Sequence, residues 1–217
     1  MKPIFCILIY CLSLTSSYGQ SSTVELSHYV FPLFMQGEIL MKSGDKYKAR
    51  INYNSLSEEM IFEEMGKKLA INQDQLDMLD TVFIADRKFI RLNDKFFELL
   101  YHATSELYAE YKCQIEYPGT TDGYGTSSQT SSSDSYASMK SRGTLYELSL
   151  PDDFKTNPYT VYWIKKNGEL NKFRNLKQLM KVYKNKKDLF KAYIKKHDVQ
   201  INDQKSIVLL IEYLEAG

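Results

Sequence analysis

Apolar residues alternate one for one with mostly polar residues along the segment 107–116. Successive side chains of a β-strand point to opposite faces of a sheet, so this alternation predicts a strand with one buried and one solvated face. Sheets that face water on one side are typically antiparallel, and we therefore expect an antiparallel sheet. The residues predicted to face inward are Leu107, Ala109, Tyr111, Cys113 and Ile115.

Turn residues divide the preceding chain into further strands of the same kind. The segment 37–54 predicts a hairpin whose turn lies at Ser43–Asp45, and the segment 58–72 predicts a second hairpin around Gly66. The segment 81–102 predicts two or three more strands. The turns between these strands are predicted at Asp86–Arg87 and at Asn93–Asp94.

The chain after residue 142 adds strands to the same sheet. Residues 143–150 predict a strand, and residues 151–158 predict a loop stiffened by Pro151 and Pro158. Asn167 and Gly168 lie between two apolar runs and predict a hairpin, because both residues tolerate positive φ.

Beyond residue 175 the apolar residues recur with helical spacing. One stripe predicts a first amphipathic helix, and Asn185 with Asp188 predicts the cap of a second short helix. Asn202 is predicted to cap a third helix. Residues 74–79 are compatible with a further short helix. The two apolar stripes are Leu176, Leu179, Met180 and Tyr183, and Ile207, Leu210, Ile211 and Leu214.

A run of strands followed by a run of helices predicts an α+β fold, an antiparallel meander-like sheet followed by a C-terminal tail of about three short helices. The Ser/Thr/Gly-rich segment 118–142 is predicted to be a disordered loop, because it offers too little apolar surface to offset the entropy of ordering. The part after this segment is too small for a separate core, so we expect residues 20–217 to form one domain.

The first 19 residues have the three parts of a secretory signal peptide. Lys2 supplies the positive start, residues 4–14 form an uncharged apolar run, and Ser17 and Gly19 are the small residues of a cleavage site near Gly19. The apolar run is too short to span a membrane, which requires about 20 helical residues. We therefore expect an exported protein, periplasmic or extracellular, without a transmembrane segment in the mature chain.

Loss of this segment would change the cysteine content and the charge. Only Cys113 of the three cysteines would remain, so we expect no internal disulfide and a buried strand position for Cys113. Removal of Lys2 reduces the 28 basic residues to 27, which equals the number of acidic residues. A neutral exported chain is not expected to bind nucleic acid.

No motif identifies a catalytic, cofactor-binding or metal-binding residue. His28, His102 and His197 are scattered without a second ligand at metal-binding spacing, and no Gly-x-Ser-x-Gly elbow is present. Three pairs of adjacent acids are typical of exposed sheet edges and turns. They do not have the arrangement of a glycosidase, in which two carboxylates converge on the substrate. These acids are Glu58 with Glu59, Glu63 with Glu64, and Asp152 with Asp153. We therefore expect no cofactor and no metal ion.

Charge and tyrosine are unevenly distributed along the chain. Twelve Lys or Arg residues lie between Lys165 and Lys196, opposed only by Glu169 and Asp188. We expect this basic helical tail to pair with the acidic sheet of its own chain, although it could also approach an anionic surface. Tyrosine, with 17 residues in all, suits both half-buried sheets and contact surfaces for sugars or peptides.

A family resemblance rests on three segments and one motif. The segments are 37–62, 82–100 and 176–214, and the motif is Asn-Tyr-Asn at residues 52–54. The chain resembles a group of uncharacterised exported proteins of Bacteroidota-type bacteria, which share the signal peptide, the strand leading into this motif and the lysine-rich tail. The resemblance implies an envelope location and no established activity. Asp80, Thr81 and Val82 match the O-glycosylation triplet of such bacteria, and we expect this triplet to be unmodified.

These observations favour an exported non-enzymatic envelope protein that acts as a binding or structural component, with an envelope protein or a glycan as its partner. Two alternatives remain open. One is a periplasmic hydrolase of envelope polymer whose site is dispersed in the sequence, since catalytic residues converge from distant positions. The other is a carrier whose curved sheet encloses an apolar ligand.

Overall fold

The computed structural model describes residues 28–116 and 155–216, and ten strands of these residues form one antiparallel sheet. The strands before the gap are β1 (Met35–Met41), β2 (Lys46–Asn54), β3 (Glu59–Glu64), β4 (Lys67–Ala70), β5 (Leu79–Ile84), β6 (Arg87–Leu92), β7 (Lys95–His102) and β8 (Glu106–Glu116). The strands after it are β9 (Lys155–Lys166) and β10 (Glu169–Phe173).

Two meanders meet at β1. The chain runs outward through β2, β3 and β4, and then returns through the short helix α1 (Gln73–Met78) to place β5 on the other side of β1. From β5 each strand pairs with the next as far as β10. The predicted α+β class and the predicted hairpins are confirmed. The pairings of β1 with β5 and of β8 with β9 join strands that are distant in sequence.

Three helices follow the sheet, as predicted: α2 (Leu176–Val182), α3 (Lys187–His197) and α4 (Gln204–Ala216), with a 3-10 turn at Lys184–Lys186. The predicted caps are wrong. Asn185 lies inside the 3-10 turn, and Lys186 precedes α3 without capping it through its side chain. At α4 the side chain of Asp203, rather than that of Asn202, accepts a hydrogen bond from the Lys205 backbone nitrogen at 3.1 Å.

Two local boundaries also differ from the prediction. Residues 155–158 belong to β9 rather than to a loop, with Pro158 opposite Cys113 of β8. Proline is tolerated there because β10 pairs only with 162–166, which leaves this part of β9 without a second neighbouring strand among the described residues. The turn between β5 and β6 begins one residue earlier than predicted, at Ala85, which adopts a positive φ of 53°.

The apolar core has two clusters on one face of the sheet. The first packs α2, α3 and α4 onto β8, β9 and β10, with all four predicted stripe residues of α4 fully buried. The second lies over β1, β2, β5 and β6. Directly opposed residues of antiparallel strands share a face, and one such row crosses both clusters. It consists of Val82, Phe89, Glu98, Ala109, Tyr162 and Phe173.

Several predictions concern residues outside the described ranges. They are the signal peptide at residues 1–19, the disordered loop at 118–142, the strand at 143–150 and the acids Asp152 and Asp153. Within the described ranges, none of the helices combines the length and the apolar composition that a membrane span requires.

Candidate binding cavity

A bulged loop precedes the sheet and forms one wall of the candidate site. Tyr29 bridges Asn54, and the next register pair is Met35 with Ile51, so residues 30–34 lie opposite only two residues of β2. A bulge of this size leaves backbone groups without ladder partners, and each of these groups needs another hydrogen bond when it is buried.

The side chain of Asn52 supplies these hydrogen bonds. Its amide nitrogen donates to the carbonyl oxygens of Phe31 and Leu33 at 2.8 and 3.1 Å. Its amide oxygen accepts from the backbone nitrogens of Phe31 and Tyr53 at 3.1 and 2.8 Å. Asn52 is completely buried. The amide therefore fixes the bulge and, with it, the position of Phe31.

A polar seam separates the two apolar clusters; it consists of Arg87, Glu98, Tyr111 and Gln204. Glu98 is the one charged member of the cross-strand row, and it is only 5% exposed. Arg87 binds its carboxylate through two parallel hydrogen bonds, from Nε to Oε1 at 2.7 Å and from Nη2 to Oε2 at 2.8 Å. This fork is the geometry that holds a buried carboxylate most effectively.

The other two members of the seam meet at one hydroxyl. Tyr111 Oη donates to Glu98 Oε2, and it accepts from Arg87 Nη2 at 2.7 Å and from Gln204 Nε2 at 2.5 Å. Burial, reinforced by the Glu98 carboxylate, raises the pKa of Tyr111. Because Gln204 is the first residue of α4, this hydroxyl joins the helical layer to the sheet.

Aromatic rings surround the guanidinium of Arg87. Its Cζ lies 4.5 Å from the ring centroid of Phe31, 5.4 Å from that of Phe89 and 5.2 Å from that of Tyr111. Such cation–π contacts stabilise a partly desolvated arginine. The Asn52-fixed bulge therefore reaches the seam directly, since it carries Phe31.

A second charge cluster lies beside the seam. Glu58, in the turn between β2 and β3, accepts from Lys95 at 2.8 Å and from Lys112 at 2.5 Å. The same two lysines contact Glu110 at 3.5 and 3.1 Å. Burial acts to raise the pKa of Glu110, but hydrogen bonds from Trp163 and Lys112 outweigh it and lower the pKa.

The seam cavity, of about 330 Å³, lies between the bulged loop, β8, β9 and the start of α4. Its volume is at the small end of the range typical of ligand pockets, about 300–1,000 Å³. The lining combines tyrosine rings with charged, amide and hydroxyl groups. The lining residues that bear on its chemistry are Tyr29, Arg87, Tyr111, Lys112, Tyr159, Thr160 and Gln204.

Several polar atoms of the lining have no hydrogen-bond partner among the described residues, and three of them bear on the choice of ligand. Arg87 uses Nε and Nη2, and Gln204 uses Nε2, in the hydrogen bonds of the seam. Among residues 28–116 and 155–216, no hydrogen bond engages Arg87 Nη1, Gln204 Oε1 or Thr160 Oγ1. These three atoms offer a ligand a donor nitrogen, an acceptor oxygen and a hydroxyl that can act in both ways.

No protein-family model matches this chain, and neither the curated proteins nor the solved structures include a significant match.

The predicted candidate residues do not converge on the cavity. His28 is buried next to the bulge, where burial and then the charge of Lys68 lower its pKa. His102 lies at the end of β7 and His197 at the end of α3. In the part of the chain that the structure describes, no three His, Cys, Asp or Glu residues are grouped to hold a metal ion. Cys113 is a free thiol, only partly rather than fully buried.

The acidic and basic residues follow the predictions in part. Glu63 pairs with Arg50 at 2.8 Å and Glu64 is exposed, as expected for a solvated strand, whereas Glu58 belongs to the charge cluster beside the cavity. Of the twelve basic residues at 165–196, only Lys165 and Lys166 form ion pairs with described acids. Seven lysines of the helical tail are exposed instead: 177, 181, 184, 187, 191, 195 and 196.

The O-glycosylation triplet lies on β5. The Thr81 hydroxyl donates to Asp80 Oδ2 at 2.9 Å, and Thr81 is only 3% exposed. A sugar attached to this oxygen would have to displace the groups that cover Thr81, and the unmodified state of the triplet stays a prediction.

Sequence reasoning missed Arg87, Glu98 and Gln204. A signal for Glu98 was present, because it alternates with Phe96 and Leu100 on the inward side of a predicted strand. Tyr111 was predicted to face inward, and it does so. Gln204 had no signal, since its contact with Tyr111 spans 93 residues of sequence.

Proposed function

We propose that this chain is an exported, non-enzymatic envelope protein that binds a small polar ligand in the seam cavity. The observation that carries the proposal is how the polar groups of the cavity are hydrogen-bonded. Arg87 and Lys112 are held by carboxylates, and Tyr111 is held by three hydrogen bonds, while Arg87 Nη1, Gln204 Oε1 and Thr160 Oγ1 have no partner among residues 28–116 and 155–216. Such pre-positioned groups reduce the entropy that a ligand must overcome on binding.

The same arrangement favours binding over hydrolysis. A general acid or base needs a pKa near the working pH and access to the substrate. Here hydrogen bonds from Trp163 and Lys112 lower the pKa of Glu110, which keeps this carboxylate ionised. Both carboxylate oxygens of Glu98 already accept hydrogen bonds, from Arg87 and from Tyr111. The carboxylates beside the cavity therefore serve to position cations.

A polar ligand also fits better than an apolar one. An apolar molecule in the cavity would cover Arg87 Nη1 and Gln204 Oε1 without offering a hydrogen bond, and an unsatisfied buried polar group costs about 1–3 kcal/mol. This argues against the alternative of a carrier for an apolar ligand.

The proposed location rests on the N-terminal pattern and on the lysine surface. Residues 1–19 have the composition of a signal peptide. The seven exposed lysines lie between residues 177 and 196, where Asp188 is the single acid, and they support a position of this segment near anionic groups of the envelope. Cell fractionation tests the location: we expect a product outside the cytoplasm that lacks residues 1–19, and an intact cytoplasmic product would contradict it.

Photo-crosslinking in living cells tests the binding function. A photoreactive amino acid is placed at Tyr159, which lines the cavity, and separately at Tyr47, which is 56% exposed on β2. We expect a discrete adduct from position 159 and none from position 47. Equal labelling at both positions, or no adduct at position 159, would contradict ligand binding in the cavity.

A further inference from the structure

We infer that the ligand of the seam cavity is a neutral polyhydroxylated molecule, one unit of a neutral glycan being the class that fits. This inference rests on the proposed binding function and adds the chemical class of the ligand. Charge balance, the open hydrogen-bonding atoms and the tyrosine lining each support it.

The charges of the two ion-pair clusters beside the cavity cancel, and the exposed Arg174 lies outside these clusters, with Cζ 5.5 Å from the ring centroid of Tyr159. Three cations face three carboxylates, and every contact between them lies within 3.5 Å. An anionic ligand would have to displace Glu98 from Arg87 or add a negative charge to these clusters, while a cationic ligand would find none of their three carboxylates without a cation. A neutral ligand leaves this balance intact. The six groups are Arg87, Lys95, Lys112, Glu58, Glu98 and Glu110.

The open atoms match a pair of hydroxyl groups. Arg87 Nη1 can only donate, Gln204 Oε1 can only accept, and Thr160 Oγ1 can do both. A sugar hydroxyl also donates and accepts, so neighbouring hydroxyls of one ring can satisfy all three atoms. A carboxylate could use Arg87 Nη1 but would place a second acceptor opposite Gln204 Oε1.

The aromatic rings of the lining suit the apolar faces of a sugar ring. Tyr29, Tyr111 and Tyr159 contribute aromatic rings to a cavity of about 330 Å³. A sugar ring has C–H groups on its faces and hydroxyls at its edge, and aromatic side chains provide the apolar area that such a face requires. The volume accommodates a small unit rather than a long polymer.

Calorimetric titration and saturation-transfer NMR with three groups of probes test the inference. The neutral probes are lactose, cellobiose and diacetylchitobiose, the anionic probes are glucuronate and glutamate, and the cationic probe is lysine. We expect at least one neutral sugar to bind, and to bind at least about tenfold more tightly than any charged probe. Thr160 lies opposite Tyr111 in the sheet, and Thr160→Val removes its hydroxyl without removing any hydrogen bond of the seam, so it should weaken that binding about tenfold.

The control variant is Glu64→Gln, an exposed residue at the end of β3, which should bind like the unmodified protein. Circular dichroism and thermal unfolding check that both variants are folded. Tighter binding of a charged probe, sensitive to Thr160→Val, would overturn the neutral class and leave the binding function standing. Sugar binding that is insensitive to Thr160→Val would overturn the inferred site. Absence of Thr160-dependent binding by every probe would overturn both the inference and the proposed function.

Discussion

The side chain of Asn52 hydrogen-bonds both the backbone nitrogen and the carbonyl oxygen of Phe31, at 3.1 and 2.8 Å. One amide thereby replaces the ladder partners that the bulged loop loses, and it holds the Phe31 ring against Arg87. The middle residue of the same Asn-Tyr-Asn motif, Tyr53, is buried in the core, and Asn54 accepts from the backbone nitrogens of Leu56 and Ser57. The motif thus shapes a loop and the turn after it.

Replacement of Asn52 by alanine should destabilise the protein strongly. The change leaves several buried backbone groups of the bulge without partners, each costing about 1–3 kcal/mol, and we expect a loss of about 2–4 kcal/mol in the free energy of unfolding. Urea denaturation measures it. The control is Asn185→Ala in the exposed 3-10 turn, which should stay within about 0.5 kcal/mol of the unmodified protein. Equal effects of the two changes would contradict the role of Asn52.

Arg87 and Glu98 should be energetically coupled. Arg87→Met leaves the buried Glu98 carboxylate without its cation, and breaking a buried pair in this way costs about 3–5 kcal/mol. The double variant Arg87→Met with Glu98→Leu removes both charges, so it should be less destabilised than the sum of the single variants. A double-mutant cycle from denaturation curves gives the coupling energy. Additive single effects would show that the fork contributes nothing as a pair.

Glu215 should make stability depend on acid pH. Burial acts to raise its pKa, but hydrogen bonds from Lys166, Tyr183 and Thr104 lower it to about 2, below the ordinary value of 4.5. A carboxyl with a depressed folded-state pKa contributes stability above the unfolded pKa and loses it as the pH falls. Stability should therefore decline from about pH 4.5 toward pH 2, and Glu215→Gln should flatten this decline.

The matched control for that measurement is Glu212→Gln, an exposed acid one turn earlier on α4, which should preserve the decline. Unfolding free energies of the three proteins are compared across the same pH range. If the free energy of unfolding of Glu215→Gln declined between pH 4.5 and pH 2 as steeply as that of the unmodified protein, the assignment of the decline to Glu215 would be wrong.

The lysines of the helical tail should matter for surface binding and not for folding. Lys177, Lys181 and Lys184 are exposed, and exposed charges contribute little to stability. Changing all three to Gln should leave the unfolding midpoint nearly unchanged. It should weaken binding to vesicles with anionic lipid, in a salt-dependent manner, without affecting vesicles of neutral lipid. Collapse of the fold would show that these lysines are not a solvated face.

The sequence predicted the elements that depend on local periodicity. The helical stripe of Ile207, Leu210, Ile211 and Leu214 determines which side of α4 is buried, and the structure places it so. The alternation at 107–116 predicted the strand correctly, but the side predicted to be solvated is also buried at Tyr108 and Glu110, which are 3% and 2% exposed, and Cys113 is only partly buried. Helix caps failed because a cap depends on where tertiary packing starts the helix. Asn185 and Asp203 are equally suitable residues, and only Asp203 stands at a helix start.

The site itself was beyond local reasoning. The seam joins Arg87 of β6, Glu98 of β7, Tyr111 of β8 and Gln204 of α4, and these contacts follow from strand register and from the docking of α4. A charge on the inward side of a strand, as at Glu98, indicates that a partner must exist without identifying it. The partner becomes evident only when the register brings β6 beside β7.

The most direct test of the central claim is a fragment screen read by amide ¹⁵N–¹H NMR. The labelled protein is exposed in turn to neutral sugars, small carboxylates and amino acids. We predict that binding fragments shift the amide signals of Tyr29, Lys112, Thr160 and Gln204, which line the seam cavity on four different segments. Fragment-induced shifts confined to other parts of the chain, or no shift at these four residues with any fragment, would contradict the account.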